Sequence, residues 1–119
     1  MSERTSYPAR VDDDRLDAGV LGVPLGTRAT LVQFSTAFCA PCRATRQVLR
    51  AVAAGEPGVA HVELDAESHL ELVRRLDVRS TPTVLVLAAD GRVVTRASGV
   101  PRRTQVVAAV DRAADARSV

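Results

Sequence analysis

Tryptophan and lysine are missing from this 119-residue chain, and cysteine nearly so: Cys39 and Cys42 are the only two. Without lysine, all 16 basic residues are arginine, set against 14 acidic residues for a net charge of +2. That balance leaves no electrostatic footprint for nucleic acid. The arginine bias, alongside abundant Ala and Val, reads as a compositional habit of the source and not as phosphate recognition. No apolar run is long enough to span a membrane. The start, M-S-E-R-T-S-Y-P, has neither the basic opening nor the apolar stretch of a signal peptide. These absences predict a cytoplasmic chain, or the soluble domain of a membrane-tethered protein if an anchor has been removed. Two cysteines are too few for a secreted disulfide framework.

What is present suits one globular domain with a real core: 46% of the residues are hydrophobic. Residues 1–26 read as an N-terminal segment. It has a loose start, a short helical turn capped at Asp12–Asp14 and ended by Gly19, and a loop from Gly22 to Gly26. The domain proper is expected over 27–117. Ala29–Ser35 is a continuous β-prone run, as in a buried strand. A helix follows Cys39, with Pro41 in its first turn and Gly55 and Gly58 at its close. Its spacing puts Ala44, Val48, Ala51 and Val52 on one face and Arg43, Arg46 and Arg50 on another. Then come a strand over Val59–Leu64 and a helix over Ser68–Leu76, with Leu72, Val73 and Leu76 inward. A strand over Thr83–Ala88 meets an Asp90-Gly91 turn, a returning strand over Arg92–Ala97 and a last helix over Arg102–Ala116. Val106, Val107, Val110 and Ala113 mark that helix's buried side. The order predicts an α/β fold: a central mixed sheet with a C-terminal antiparallel hairpin and helices on both faces.

Both cysteines fall in one short stretch, F-C-A-P-C-R, from Phe38 to Arg43. A strand ends just before it and a helix begins within it. Cys39 therefore sits near a helix N-terminus, where unpaired N–H groups and the helix dipole favour negative charge. Such a site brings a thiol pKa from about 8.5 into the range of roughly 3.5–7.5. The thiolate is the attacking species in thiol–disulfide exchange. Cys42, one turn on, is placed to resolve a mixed disulfide formed at Cys39. Two other readings stand beside this one. A closed zinc site needs four ligands, and the only histidines, His61 and His69, lie outside any ligand spacing with the pair. A purely structural pair is the other.

The motif resembles the W-C-G-P-C-K of the thioredoxin family, and a buried strand, L-V-Q-F, precedes it as it does there. A second landmark agrees: V-R-S-T-P-T, Val78–Thr83, resembles the family segment that carries a cis-proline, and Gly99 matches a glycine after the hairpin. The resemblance covers Ala29–Ala116. It implies that Cys39 is the nucleophile and Cys42 the resolver, and that Pro82 is cis and faces them. The Thr81 backbone is then left free to pair with a substrate, beside Phe38, Ala40 and Pro41. It further implies reduction or exchange of protein disulfides without a bound cofactor or metal, an external reductant such as a thioredoxin reductase, and a monomer.

Departures from the family pattern qualify this. Gln33 stands where most members have a buried aspartate, and His61 falls near the lysine that pairs with it, so the proton of Cys42 passes to His61 or to water. The third alternative is that no group takes that proton readily and release of the mixed disulfide is slower; a satisfied strand residue is the simpler reading of His61. Phe38 replaces the tryptophan before the motif, Ser35 the other family tryptophan, and Ala40 a glycine. The Thr81 hydroxyl is placed to donate to a cysteine sulfur. Arg43 either supports the thiolate or is solvated surface. Gln33 and the missing tryptophans also motivate an alternative: a binding module of the same fold, or a partner-specific redox protein with little general reductase activity.

Overall fold

The computed structural model describes residues 15–116. The expected cap at Asp12–Asp14 lies outside them. Asp17 is the residue that caps α1 (Ala18–Leu21), accepting a hydrogen bond from the Val20 N–H at 2.9 Å. Gly22, at φ 80°, and not Gly19, ends the helix. Four strands follow: β1 (Ala29–Ser35), β2 (Val59–Asp65), β3 (Thr83–Ala88) and β4 (Val93–Ser98). Between them run α2 (Ala40–Gly55) and α3 (Leu70–Arg75), and α4 (Arg103–Asp115) closes the chain. A 3-10 turn at Ala66–Ser68, capped by the Asp65 side chain accepting from the Glu67 N–H, precedes α3, which starts at Leu70 and not at Ser68 as expected.

The sheet order is β2-β1-β3-β4, with β1 parallel to β2 and the other neighbours antiparallel. β1 has a strand on each side and helices over each face, so all seven of its residues are buried. Alternation along β1 then builds two cores. Val32 and Phe34 join Leu16, Leu21, Leu72, Leu76 and Leu85 on the α1–α3 face. Ala29 and Leu31 join Leu49, Val52, Val106 and Val110 under α2 and α4. Each large apolar side chain so buried contributes about 1.5–3 kcal/mol.

The face of α2 differs from the expected one. Cys42, Thr45, Leu49 and Val52 are buried and Val48 is half-buried, whereas Ala44 and Ala51 are exposed. The sheet accepts the stripe that carries Cys42, and small alanines contribute too little area to compete for it. In α4, Ala109 is buried and Val107 only partly so.

The chain just before α1 is tied to the β3–β4 turn. The Leu16 N–H donates to the Gly91 carbonyl at 2.9 Å. Gly91 has φ 92°, and a Cβ there would lie 2.2 Å from the Leu16 carbonyl oxygen. Gly91→Ala is expected to destabilise the fold by ~2–4 kcal/mol, from left-handed strain plus the clash. A urea midpoint unchanged from wild type would show the crossing to be dispensable.

Candidate active site

β1 leads the chain out of the sheet at Ser35, and three residues later the backbone reverses. Phe38 adopts φ 57°, a left-handed conformation costly for a residue with a Cβ. Its ring makes no compensating burial, being fully exposed. The reversal leaves Cys39 extended, as the N-cap of α2, with Pro in the first turn. The Cys42 backbone N–H donates to Cys39 Sγ at 3.1 Å, so a sulfur takes the place usually held by a Ser or Asp oxygen at a helix start. Cys39 and Cys42 are joined as a disulfide, with their Cα atoms 5.2 Å apart. Cys39 is partly exposed and Cys42 is 1% exposed. One sulfur therefore faces solvent and the other faces the sheet. Ala40 and Pro41 are exposed beside them.

The Thr81–Pro82 peptide bond is cis. It precedes β3, whose register with β1 sets Thr83 against Phe34. Thr81 thus lies near the exit of β1, where its hydroxyl is 3.0 Å from that of Thr36. That hydroxyl pairs with Thr36 and makes no hydrogen bond to a cysteine sulfur. Arg43 is exposed, and its side chain has no ion pair among the described residues.

Beneath Cys42 lies a polar layer that sequence reasoning found only in part. Gln33 is 0% exposed, and its Nε2 donates to the Cys42 carbonyl at 2.8 Å and to Ser35 Oγ at 3.0 Å. A longer bond, 3.4 Å, reaches Glu63 Oε2. The parallel register sets Gln33 opposite Glu63. Arg46, one turn beyond Cys42, grips Glu63 with two bonds of 2.6 and 2.9 Å. Arg46 was expected with Arg43 and Arg50 on the helix face away from the apolar one, and Glu63 carried no role. The period-2 pattern of β2 puts Glu63 on the same face as His61, but only the strand register brings it to Gln33. The guanidinium of Arg46 holds the Glu63 carboxyl below its usual range, with smaller help from Ser35. Burial pushes the His61 imidazole down, partly offset by Glu63. The buried Nε2 of His61 has no hydrogen-bond partner among the described residues. An open cleft of about 340 Å³, lined by Thr36, Ala37, Arg46, Glu63 and Asp65, reaches this layer from solvent. A larger cleft of about 440 Å³ lies at α1 and α3 and touches neither cysteine. No group of side chains able to hold a metal ion occurs among the described residues, and no described helix is long and apolar enough to cross a membrane.

A cysteine pair at a strand-to-helix junction, one sulfur capping the helix and the other buried, is built for dithiol–disulfide exchange. Comparisons with known proteins agree. Residues 13–112 match the family model described as Thioredoxin. A thioredoxin of Mycolicibacterium smegmatis is 35% identical over 103 residues, covering 83% of this chain and 87% of that protein. A thioredoxin of Chlamydia muridarum is 35% identical over 77 residues, covering 65% and 74%. Among solved structures, Fasciola hepatica thioredoxin superposes with a TM-score of 0.63 at 28% identity, over 73% of this chain and 82% of that one.

The polar layer has a pH signature. Because Glu63 is held ionised, the Arg46 pair stabilises the fold above the ordinary glutamate pKa of about 4.3 and loses this effect as pH falls through the lower folded value. Glu63→Gln is expected to cost about 1 kcal/mol at pH 7, the upper end for a pair open to solvent. It should also flatten the loss of stability as pH falls below about 4.3. His61 acts in a separate window: held neutral, it favours the fold above about pH 6.5, an advantage that fades as pH falls below that value. Equal acid dependence in the Glu63→Gln variant and the wild type, by urea denaturation, would remove Glu63 from this role.

Proposed function

The chain belongs to the thioredoxin family, and from that premise we propose that Cys39 attacks disulfides of protein substrates and Cys42 resolves the intermediate. The protein is a thiol–disulfide oxidoreductase of the thioredoxin type. One observation carries the division of labour: the α2 N–H of Cys42 is directed at Cys39 Sγ, the more exposed of the two sulfurs. In the dithiol state this hydrogen bond and the helix dipole stabilise a thiolate at Cys39.

The Cys39 thiolate forms a bond to one substrate sulfur, and the other leaves as a thiolate that takes a proton. Cys42 then loses its proton and attacks Cys39 Sγ. The bond from Cys39 to the first substrate sulfur breaks, that sulfur departs as a thiolate and takes up a proton, and the Cys39–Cys42 disulfide remains. Two electrons have passed to the substrate. An external dithiol reductant, such as a thioredoxin reductase, returns two electrons and two protons to the pair. No bound cofactor takes part in these steps. Cytoplasm is the setting proposed, since its reductants keep such dithiols charged.

Substrate docking is assigned to the rim around Cys39. Phe38, next to Cys39 in the chain, is a fully exposed apolar residue. The backbone of Thr81, ahead of β3, makes no backbone hydrogen bond among the described residues. An extended peptide can pair there and lie against Phe38.

Insulin reduction by dithiothreitol tests the chemistry. Cys39→Ser should fall to the rate of dithiothreitol alone, and Cys42→Ser should accumulate a mixed disulfide through Cys39. Wild type no faster than Cys39→Ser, with nothing trapped, would point to a binding module instead. Phe38→Gly separates docking from folding. Relief of the left-handed strain should raise stability by about 1 kcal/mol, while KM for a protein disulfide rises several-fold. An unchanged KM would take Phe38 out of the docking rim.

A further inference from the structure

Gln33 leaves a buried polar atom unused in the disulfide state. Its Nε2 is surrounded by three oxygens, those of Cys42, Ser35 and Glu63. Those acceptors fix which end of the amide is nitrogen. At the other end, Oε1 is buried and has no donor among the described residues. An acceptor stranded in this way carries a free-energy cost that a nearby donor would remove.

The surroundings narrow the choice of donor. Gln33 shares its side of β1 with Ala29 and Leu31, which pack beneath α2 and α4. The residues that α2 turns inward are Cys42, Thr45, Leu49 and Val52. Leu49 and Val52 have no polar hydrogen. The Thr45 hydroxyl and His61 Nε2, the latter on the same sheet face as Glu63, are the other candidates, and neither makes a hydrogen bond to Oε1. Cys42 remains, and its carbonyl is already 2.8 Å from the same amide. In the disulfide its sulfur has no proton to give. When an external dithiol reduces the pair, the S–S bond breaks and two electrons and two protons are taken up. The reductant becomes a disulfide, and Cys42 gains an S–H.

We propose that Gln33 is a positioning residue whose Oε1 accepts a hydrogen bond from the Cys42 thiol in the dithiol state only. Resting on the roles assigned above to Cys39 and Cys42, this makes the amide a redox-dependent latch. It holds the resolving thiol buried and protonated until a mixed disulfide forms at Cys39. Because the disulfide state leaves Oε1 unpaired, the latch also favours the dithiol, making the protein a milder reductant than it would be with an apolar residue at position 33.

Equilibration with dithiothreitol mixtures of known ratio, followed by thiol counting, tests this in wild type, Gln33→Leu and Gln33→Met. Each variant also loses the bonds from Nε2, but that loss is common to both redox states and cancels. The dithiol–disulfide equilibrium should move about fivefold or more toward the disulfide, the low end for an unpaired buried acceptor because S–H is a weak donor. In wild type, the carbon-13 resonance of the Gln33 side-chain carbonyl should move downfield on reduction. A resonance that stays put, or an equilibrium constant the same in all three proteins, overturns the latch while leaving the exchange chemistry intact. A wild-type protein that never equilibrates with dithiothreitol removes the functional reading and the latch with it.

Discussion

The Cys42 N–H directed at Cys39 Sγ, at 3.1 Å, is the contact on which the chemistry of this protein turns. Water would offer that sulfur hydrogen bonds too, but only with the cost of organising them. Here the donor is fixed by a 16-residue helix whose dipole adds positive potential at the same point. Several independent features are needed to hold the sulfur there. β1 must be rigid enough to deliver Ser35 to a fixed place, and its complete burial ensures that. Phe38 must turn left-handed so that Cys39 is the cap and not part of the strand. α2 must be anchored by its inner stripe, and Leu49 and Val52, at 0% and 1% exposure, provide the anchor. The strain at Phe38 stands with no burial of its own ring to offset it, which places its value in what it exposes.

Around that contact the two sulfurs live in different media. Cys39 reaches solvent and substrate. Cys42 faces a layer in which the charges of Arg46 and Glu63 cancel and the amide of Gln33 cannot ionise. A carboxylate is thus present beside the resolving cysteine after all, but it is carried by β2 and held ionised by an arginine one helical turn away. Gln33 stands between it and Cys42, contacting both. Electrostatics at the two ends of the motif are therefore set by separate devices: a helix terminus for the nucleophile and a neutral amide for the resolver.

Much of the fold was legible in the sequence because its signals are local. β3 begins and ends where expected, since Pro82 and Asp90-Gly91 bound an uninterrupted apolar run. β1 and the strand-to-helix junction at Cys39 follow for the same reason. The α2 face was misread because helical period alone does not choose between stripes about 100° apart. Thr45, being polar, did not advertise its burial, and Ala44 and Ala51 advertised theirs falsely. In α1 four aspartates compete for one cap, and local propensity does not rank them. The polar layer was out of reach for a stronger reason. Glu63 meets Gln33 through a parallel register between strands 30 residues apart, and Thr81 meets Thr36 through an antiparallel one. Pairings of that range are properties of the sheet, and no window of sequence contains them.

The most direct measurement is the pH titration of Cys39 in the reduced protein, by thiolate absorbance or by its alkylation rate with iodoacetamide. Helix capping by sulfur predicts ionisation well below the free-thiol value of about 8.5, within roughly 3.5–7.5, with Cys42 ionising far later. A Cys39 titration at or above the free-thiol value would mean that the helix terminus does not stabilise the thiolate, and the assignment of Cys39 as nucleophile would fail with it.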